Sequence, residues 1–143
     1  MVSAKILLGG VLLAATITDI ARRRIPNRLI CAGLAGFTGL AAWSAFRGDA
    51  PWFLDRLAAG ALAFFLHLVP YLCRGMGAGD VKLAGVMGLL MGWQDWLGYL
   101  NFYCLLLFAT AAAMLTHRKN KRKTLPLAPL MAAAYFLYFL SVI

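Results

Sequence analysis

Ile6-Leu7-Leu8-Gly9-Gly10-Val11-Leu12-Leu13-Ala14-Ala15-Thr16-Ile17-Thr18-Asp19-Ile20-Ala21 carries a single charge, and Arg22-Arg23-Arg24-Ile25-Pro26-Asn27 follows at once. The apolar run is long enough to cross a bilayer as a helix, which takes about 20 residues. The arginines and Pro26 end it. A cleaved export signal carries its basic residues ahead of the apolar stretch. Here only Lys5 precedes it and three arginines follow. That order predicts an uncleaved membrane helix with its amino end outside and its basic end in the cytoplasm.

Outward from this stretch the same alternation repeats. Apolar runs of membrane-spanning character lie at roughly 2–19, 27–46, 54–73, 81–96, 97–116 and 125–143. Charge, Pro or Gly separates them at Arg22–Asn27, Arg47–Pro51, Cys73–Asp80, Trp93–Trp96 and His117–Thr124. The fourth run is short, and its start can fall inside the Gly-rich stretch before it. If six helices alternate, the first, third and fifth breaks share one side. Eleven of the fourteen Lys and Arg then gather there, leaving Lys5, Arg47 and Arg56 on the other. Short positive loops stay in the cytoplasm, so both termini are expected outside. Removing one helix from the count would put the basic loops on opposite sides.

The composition agrees. The chain has 143 residues, 63% hydrophobic and 13% charged, against about 45–50% and about 25% in soluble domains. It has no Glu, and its acids are Asp19, Asp49, Asp55, Asp80 and Asp95. A soluble enzyme, a disordered tail and a coiled coil are excluded. The net charge of +9 does not indicate nucleic-acid binding, because little chain remains to build a basic solvent-facing surface. The fold class is therefore all-α, a polytopic membrane protein of about six transmembrane helices. It reads as one domain over residues 1–143, with no long-period repeat.

Two acids stand apart. Asp19 lies near the cytoplasmic end of the first run, in Thr18-Asp19-Ile20-Ala21-Arg22, and Asp80 at the cytoplasmic start of the fourth, in Gly77-Ala78-Gly79-Asp80-Val81-Lys82. The other three fall on the outer side. Asp19 and Asp80 thus share a depth on different helices, and packing can bring them together. Two close carboxylates resist ionising together and share a proton. The ionised one can take a proton from an attacking water while the protonated one polarises a carbonyl. Bland roles are also open: Asp19 can pair with Arg22 or Arg23 along its helix, and Asp80 can cap the fourth helix. A small proton- or cation-coupled transporter or channel would use the same two acids as ligands.

The combination of motifs resembles the type IV prepilin peptidases, membrane-embedded aspartic proteases of the GxGD type. Gly77-Ala78-Gly79-Asp80, within Gly75-Met76-Gly77-Ala78-Gly79-Asp80-Val81-Lys82, carries the resemblance first. Asp19, followed at six residues by Ile25-Pro26-Asn27, carries it next, and Leu125-Pro126-Leu127-Ala128-Pro129 at the last run supports it. The resemblance implies that Asp19 and Asp80 are the catalytic pair, with Gly77, Gly79, Lys82, Pro26 and Asn27 shaping the site or binding substrate. It implies cleavage of the leader of prepilins or pseudopilins at the cytoplasmic face of the inner membrane, without metal or cofactor. Membrane lipids are the other expected partners; nucleic acid is not, and the oligomeric state is left open.

The resemblance is incomplete. Larger members carry an amino-terminal cytoplasmic region, often with two Cys pairs, associated with methylating the new amino terminus. Here the first apolar run starts at residue 2, and Cys31, Cys73 and Cys104 form no CxxC pair. The chain therefore resembles the short, peptidase-only form of tight-adherence (Flp) pili, and no methyltransferase activity is expected.

The remaining motifs read as structure. The cysteines are expected to be small packing residues. Gly88-Leu89-Leu90-Met91-Gly92 is a GxxxG string of the helix-packing kind. Pro70 is expected to kink the third helix, and His67 to pack within an apolar one. Trp43, Trp52, Trp93 and Trp96 are expected in an outer aromatic belt. The basic loops are assigned to topology and anionic lipid, because basic leaders would be repelled by them. The glycines of Gly75–Gly79 are expected to let the backbone turn and approach a substrate strand closely.

The loop charges make a direct prediction. Reporters fused after Arg24, Gly79 and Lys123 read as cytoplasmic, and one after Asp49 as external. A cytoplasmic signal at Asp49 with an external one at Lys123 overturns the six-helix topology.

Overall fold

The computed structural model describes residues 2–22, 24–73, 76–116 and 127–142. The basic stretch 117–124, Leu125 and Pro126 of the last motif, and Arg23, Arg74 and Gly75 lie outside the described residues. Among those described, the chain forms six helices: α1 (Val2–Arg22), α2 (Asn27–Phe46), α3 (Ala50–Leu72), α4 (Ala78–Met91), α5 (Trp93–Thr116) and α6 (Leu127–Val142). Three stretches, Ala4–Arg22, Asn27–Phe46 and Pro51–Leu72, are long and apolar enough to cross a membrane, and α6 is a shorter apolar helix.

Local chemistry sets the ends. Asp49 caps α3 by accepting the Trp52 N–H at 3.3 Å, and Pro51 sits in the first turn, where no N–H is needed. The helix therefore starts ahead of the expected residue 54 and continues through Pro70 to Leu72. As the short fourth run allowed, α4 begins inside the Gly-rich stretch, at Ala78.

The break after α4 is not where the sequence places it. Trp93-Gln94-Asp95-Trp96 belongs to the first turn of α5, and the chain turns at Gly92, with φ +83°. Only glycine enters that region freely. The new helix is capped from elsewhere: Asp55 Oδ2, on α3, accepts the Trp93 N–H at 3.1 Å.

Polar contacts between helices show them running alternately up and down. At one end, Lys5 of α1 forms an ion pair with Asp95 of α5 at 3.2 Å, and Tyr138 of α6 donates to Asp95 at 2.7 Å. Arg56 of α3 lies over the Trp52 ring and donates to the carbonyls of Leu89 and Leu90 at the end of α4. At the other end, the last turn of α1 meets the start of α6, and the start of α2 meets that of α4.

In the middle stands α4. Nine of its residues, from Val81 to Met91, are buried on all faces. An apolar helix buried all round is the centre of its fold. It packs most extensively on α3 and also touches α1, α2 and α5, while α6 packs on α1 and α5. The α3–α4 crossing is very close: a Cβ built at Gly88 would lie 2.5 Å from the Ala59 carbonyl oxygen and 2.8 Å from the Gly60 Cα. The GxxxG string is thus a packing device at Gly88 and a chain reversal at Gly92.

Two expectations are overturned. Trp96 is not in an outer belt: it is 1% exposed, inside the core, whereas Trp43 and Trp93 do face outward and Trp52 is half-buried beside Phe37. The cysteines are not packing residues, since Cys31, Cys73 and Cys104 are all exposed. Membrane helices are apolar on every face, so residue type alone does not tell a lipid-facing position from a buried one.

Candidate active site

On α1 the packed stripe is Ala4, Leu8, Val11, Leu12 and Ala15, and the next position on it is Asp19. A carboxyl is thereby carried into the bundle, and Asp19 is 7% exposed. Its partner is not Arg22, which is exposed, and Arg23 lies outside the described residues. Instead Asp19 Oδ2 accepts the backbone N–H of Ala128 at 3.3 Å. Ala128 stands in the first turn of α6, where backbone N–H groups lack helical partners and favour an anion. The third motif therefore contributes a peptide N–H, at its described residues Leu127-Ala128-Pro129.

Asp80 is in the first turn of α4, ahead of the apolar run that begins at Val81. It is not the N-cap residue itself. Its Oδ2 accepts the Gly77 N–H at 3.2 Å, and its own N–H donates to the Gly77 carbonyl at 3.1 Å. Burial raises the Asp80 pKa above the usual carboxylate range, and the charge of Asp19 raises it further; the Gly77 N–H opposes both. The two carboxyls, 61 positions apart in sequence, thus lie within electrostatic reach.

The other motif residues join α2 to α4. A Cβ at Gly79 would lie 3.1 Å from Ile25 Cβ, so this glycine gives close contact with Ile25 rather than an open face for substrate. Pro26, extended at φ −69° and ψ 138°, leads into α2 and accepts the Leu29 N–H at 3.0 Å. Asn27 Oδ1 accepts from Lys82 Nζ at 3.2 Å. The Ile25-Pro26-Asn27 and Gly77–Lys82 motifs are therefore in contact through both Gly79 and Lys82.

His67 packs as expected, while the tyrosines beside it were missed by sequence reasoning. His67 is buried as a packed residue, with Nδ1 at 2.8 Å from the Ala63 carbonyl, and its ring lies 5.6 Å from that of Tyr103. Tyr99 and Tyr103 stack at 5.6 Å, and the hydroxyls of both, with that of Thr16, are buried without a partner among the described residues. Only Thr16, three residues before Asp19 in sequence, carried a positional hint. Among the described residues no three His, Cys, Asp or Glu side chains gather to hold a metal ion.

A buried carboxyl, Asp19, and a half-buried one, Asp80, that influence one another, each taking a backbone N–H, form an arrangement able to hold one proton and pass it. The model of the type IV leader peptidase family matches residues 6–117. The chain belongs to this family. Asp19, Ile25-Pro26-Asn27 and Gly77–Lys82 all fall inside the matched region of this leader peptidase family member. A prepilin leader peptidase/N-methyltransferase of Bacillus subtilis (strain 168) is 35% identical over 134 residues, covering 92% of this chain and 52% of that protein. The chain thus spans about half the length of this curated relative. No solved structure matches it.

The contact between the motifs predicts a cross-link. With Cys31, Cys73 and Cys104 replaced by Ser, the pair Ile25→Cys and Gly79→Cys forms an intramolecular disulfide on mild oxidation in the membrane, since bridged Cβ atoms stand about 3.5–4.5 Å apart. Ile25→Cys with Gly10→Cys does not. Mass spectrometry of the digested protein reads both, and absence of the 25–79 bridge contradicts the contact.

Proposed function

We propose that this chain is an aspartic endopeptidase that removes the leader of type IV prepilins or pseudopilins, with Asp19 and Asp80 as its catalytic pair. The observation that carries the reading is the convergence at one end of the bundle. The Asp19 helix, the Ile25-Pro26-Asn27 turn, the Gly77–Lys82 turn and the first turn of α6 meet there, with both carboxyls in electrostatic reach. Family membership supports prepilin processing.

The mechanism follows from the shared proton. Burial and the nearby charge favour the protonated form of Asp80, which acts as the acid; Asp19, its partner in the pair, acts as the base. Asp19 takes a proton from water as the water oxygen attacks the peptide carbonyl. Asp80 gives its proton to the carbonyl oxygen. When the tetrahedral adduct collapses, the C–N bond breaks, the amine leaves with the proton held by Asp19, and a hydroxyl of the adduct returns its proton to Asp80. The products are a carboxyl on the leader and a new amino terminus, and water supplies the atoms added. Asn27 and Lys82, with Pro26, Gly77 and Gly79, shape the approach to the pair.

The six helices, in this reading, all cross the inner membrane, with both termini outside and the aspartate end in the cytoplasm. The up-and-down contacts between helix ends and the distribution of Lys and Arg support that placement. The enzyme is of the short tight-adherence type and, by itself, cleaves without methyl transfer. Supporting this is the scatter of its three cysteines on exposed surfaces, unlike paired metal-site cysteines.

Substitution separates catalysis from capping. Asp19→Asn and Asp80→Asn keep side-chain size but cannot exchange a proton. Each lowers cleavage of a co-reconstituted prepilin, per folded enzyme, by at least ~10²-fold, and the double variant is little worse. Asp49→Asn, at the far end, cleaves nearly normally. Loss of a cap alone would cost about 0.5–2 kcal/mol of stability and lower yield rather than turnover. Near-normal turnover in either single variant removes the protease mechanism and favours a transporter.

A further inference from the structure

Peptide hydrolysis consumes water, and three hydroxyls inside the bundle are enclosed with no partner among the described residues. Tyr99 and Tyr103, one turn apart on α5, are 1% and 3% exposed, and the hydroxyl of each is unpaired, as is that of Thr16 on α1. Groups of the same kind elsewhere are satisfied by the protein. Tyr135 and Tyr138 donate to the Lys5 carbonyl and to Asp95. Thr18, Thr38 and Thr110 each bond back to a carbonyl three or four residues earlier on their own helix, the usual outlet for a helical hydroxyl, and Thr16 does not.

The unpaired hydroxyls lie beside the carboxyls and just beyond them. Thr16 is three residues before Asp19, on the same side of α1. Tyr103 is within electrostatic reach of Asp80. α3 and α4 run antiparallel, with Gly60 against Leu89 and Phe64 against Gly85, which sets His67 alongside Val81 and Lys82. His67 is buried, and its ring lies 5.6 Å from that of Tyr103. Its Nδ1 faces the Ala63 carbonyl at 2.8 Å. A carbonyl only accepts, so Nδ1 carries the hydrogen and Nε2 of the neutral ring is an acceptor. In the hydrocarbon layer bulk solvent does not relieve an unpaired hydroxyl. Buried polar groups that the protein leaves unsatisfied are completed by internal water, which needs two to four polar partners. Two phenol hydroxyls, a threonine hydroxyl and an imidazole acceptor supply that set.

We propose that Thr16, His67, Tyr99 and Tyr103 hold ordered water inside the bundle, deeper than the two carboxyls, and that this water feeds the reaction at Asp19 and Asp80. The proposal rests on the leader-peptidase reading and adds to it the source of the water. Tyr103 is the positioning residue on the Asp80 side and Thr16 on the Asp19 side. A peptide seated at the dyad covers the approach from the end of the bundle, whereas water held deeper stays beside the carboxyls. Each cleavage consumes one water. Its oxygen enters the new carboxyl of the leader, one proton reaches the leaving amine through Asp19, and the other remains with that carboxyl. The internal water replaces what is consumed.

Two measurements on the full chain in liposomes test this. The first is water-edited solid-state NMR of protein carrying carbon-13 at the ring Cζ of Tyr and Phe; the chain has five tyrosines, each assigned by its loss on Tyr→Phe substitution. Polarisation from water reaches Tyr99 and Tyr103 faster than Phe37, a buried ring stacked on Trp52 and Phe53. Tyr103→Phe slows the transfer to Tyr99. Transfer to Tyr99 and Tyr103 no faster than to Phe37 overturns the hydration site. The second is cleavage of a co-reconstituted prepilin, per folded enzyme. Tyr103→Phe and Thr16→Val each lower kcat about tenfold or more and leave KM within about twofold. Tyr135→Phe, which removes a hydroxyl bonded to the Lys5 carbonyl, cleaves like the unaltered enzyme. An unchanged kcat in either Tyr103→Phe or Thr16→Val, with only the yield of folded enzyme reduced, shows a packing role and overturns the supply of water. If the unaltered enzyme does not cleave while water reaches Tyr99 and Tyr103 rapidly, the peptidase reading fails and the hydration site stands.

Discussion

The close crossing of α4 over α3 is the constraint on which the rest of the molecule depends. Gly88 allows the α4 axis to come against the backbone at Ala59 and Gly60, and any larger residue would meet a carbonyl oxygen. With no hydrophobic drive between helices in lipid, such backbone-to-backbone approach is a principal source of association. It draws α4 into the centre, where Val81 to Met91 are enclosed by α1, α2, α3 and α5. Overpacking at such a crossing costs about 1–3 kcal/mol. One end of α4 is turned by Gly92 and held by Arg56 of α3, while Asp55 caps the start of α5. The other carries Asp80.

Once α4 is central, the functional end follows from what must pack around its first turn. Gly79 accepts Ile25, which brings the α1–α2 turn against α4, and the Asn27–Lys82 hydrogen bond holds the start of α2 there. α1 enters with its buried stripe continuing from Ala15 to Asp19. The orphan N–H of Ala128 at the head of α6 then meets that carboxyl. Withdrawing one carboxyl wholly and a second partly from water costs free energy unless hydrogen bonds and a shared proton offset it. The fold supplies a backbone N–H to each, and proximity makes the first ionisation hinder the second. The same features that make the pair costly to bury make it fit to move a proton.

Much of this was legible from residues and much was not, for reasons that differ by element. The helices announced themselves because Arg22–Asn27, Arg47–Pro51 and the Gly-rich turn are incompatible with continued apolar helix. The aspartates stood out because charge is rare in such a chain, and their motif partners because Gly, Pro and Asn are needed in tight turns and close contacts. The Gly92 turn was hidden: its positive φ is a backbone matter, and the cap on Trp93 comes from Asp55, on another helix. The burial of Trp96 and the exposure of the cysteines were hidden for a different reason, since lipid and core select the same apolar residues. The contact of Asp19 with Ala128, 109 positions away, could not be read locally, although Asp19 and the motif containing Ala128 were each noticed.

The central claim is that the fold couples the two carboxyls into one proton-sharing unit. The chain has five Asp and no Glu, so aspartate-labelled protein gives few carboxyl signals. Isotope-edited infrared spectra recorded across pH, with the Asp80 band assigned by its loss in Asp80→Asn, follow the protonation of Asp80 directly. Because the Asp19 charge raises the Asp80 pKa, the account predicts that Asp80 titrates at lower pH in Asp19→Asn than in the unaltered protein. An Asp80 titration that does not move when Asp19 loses its charge would show two independent carboxyls and contradict the account.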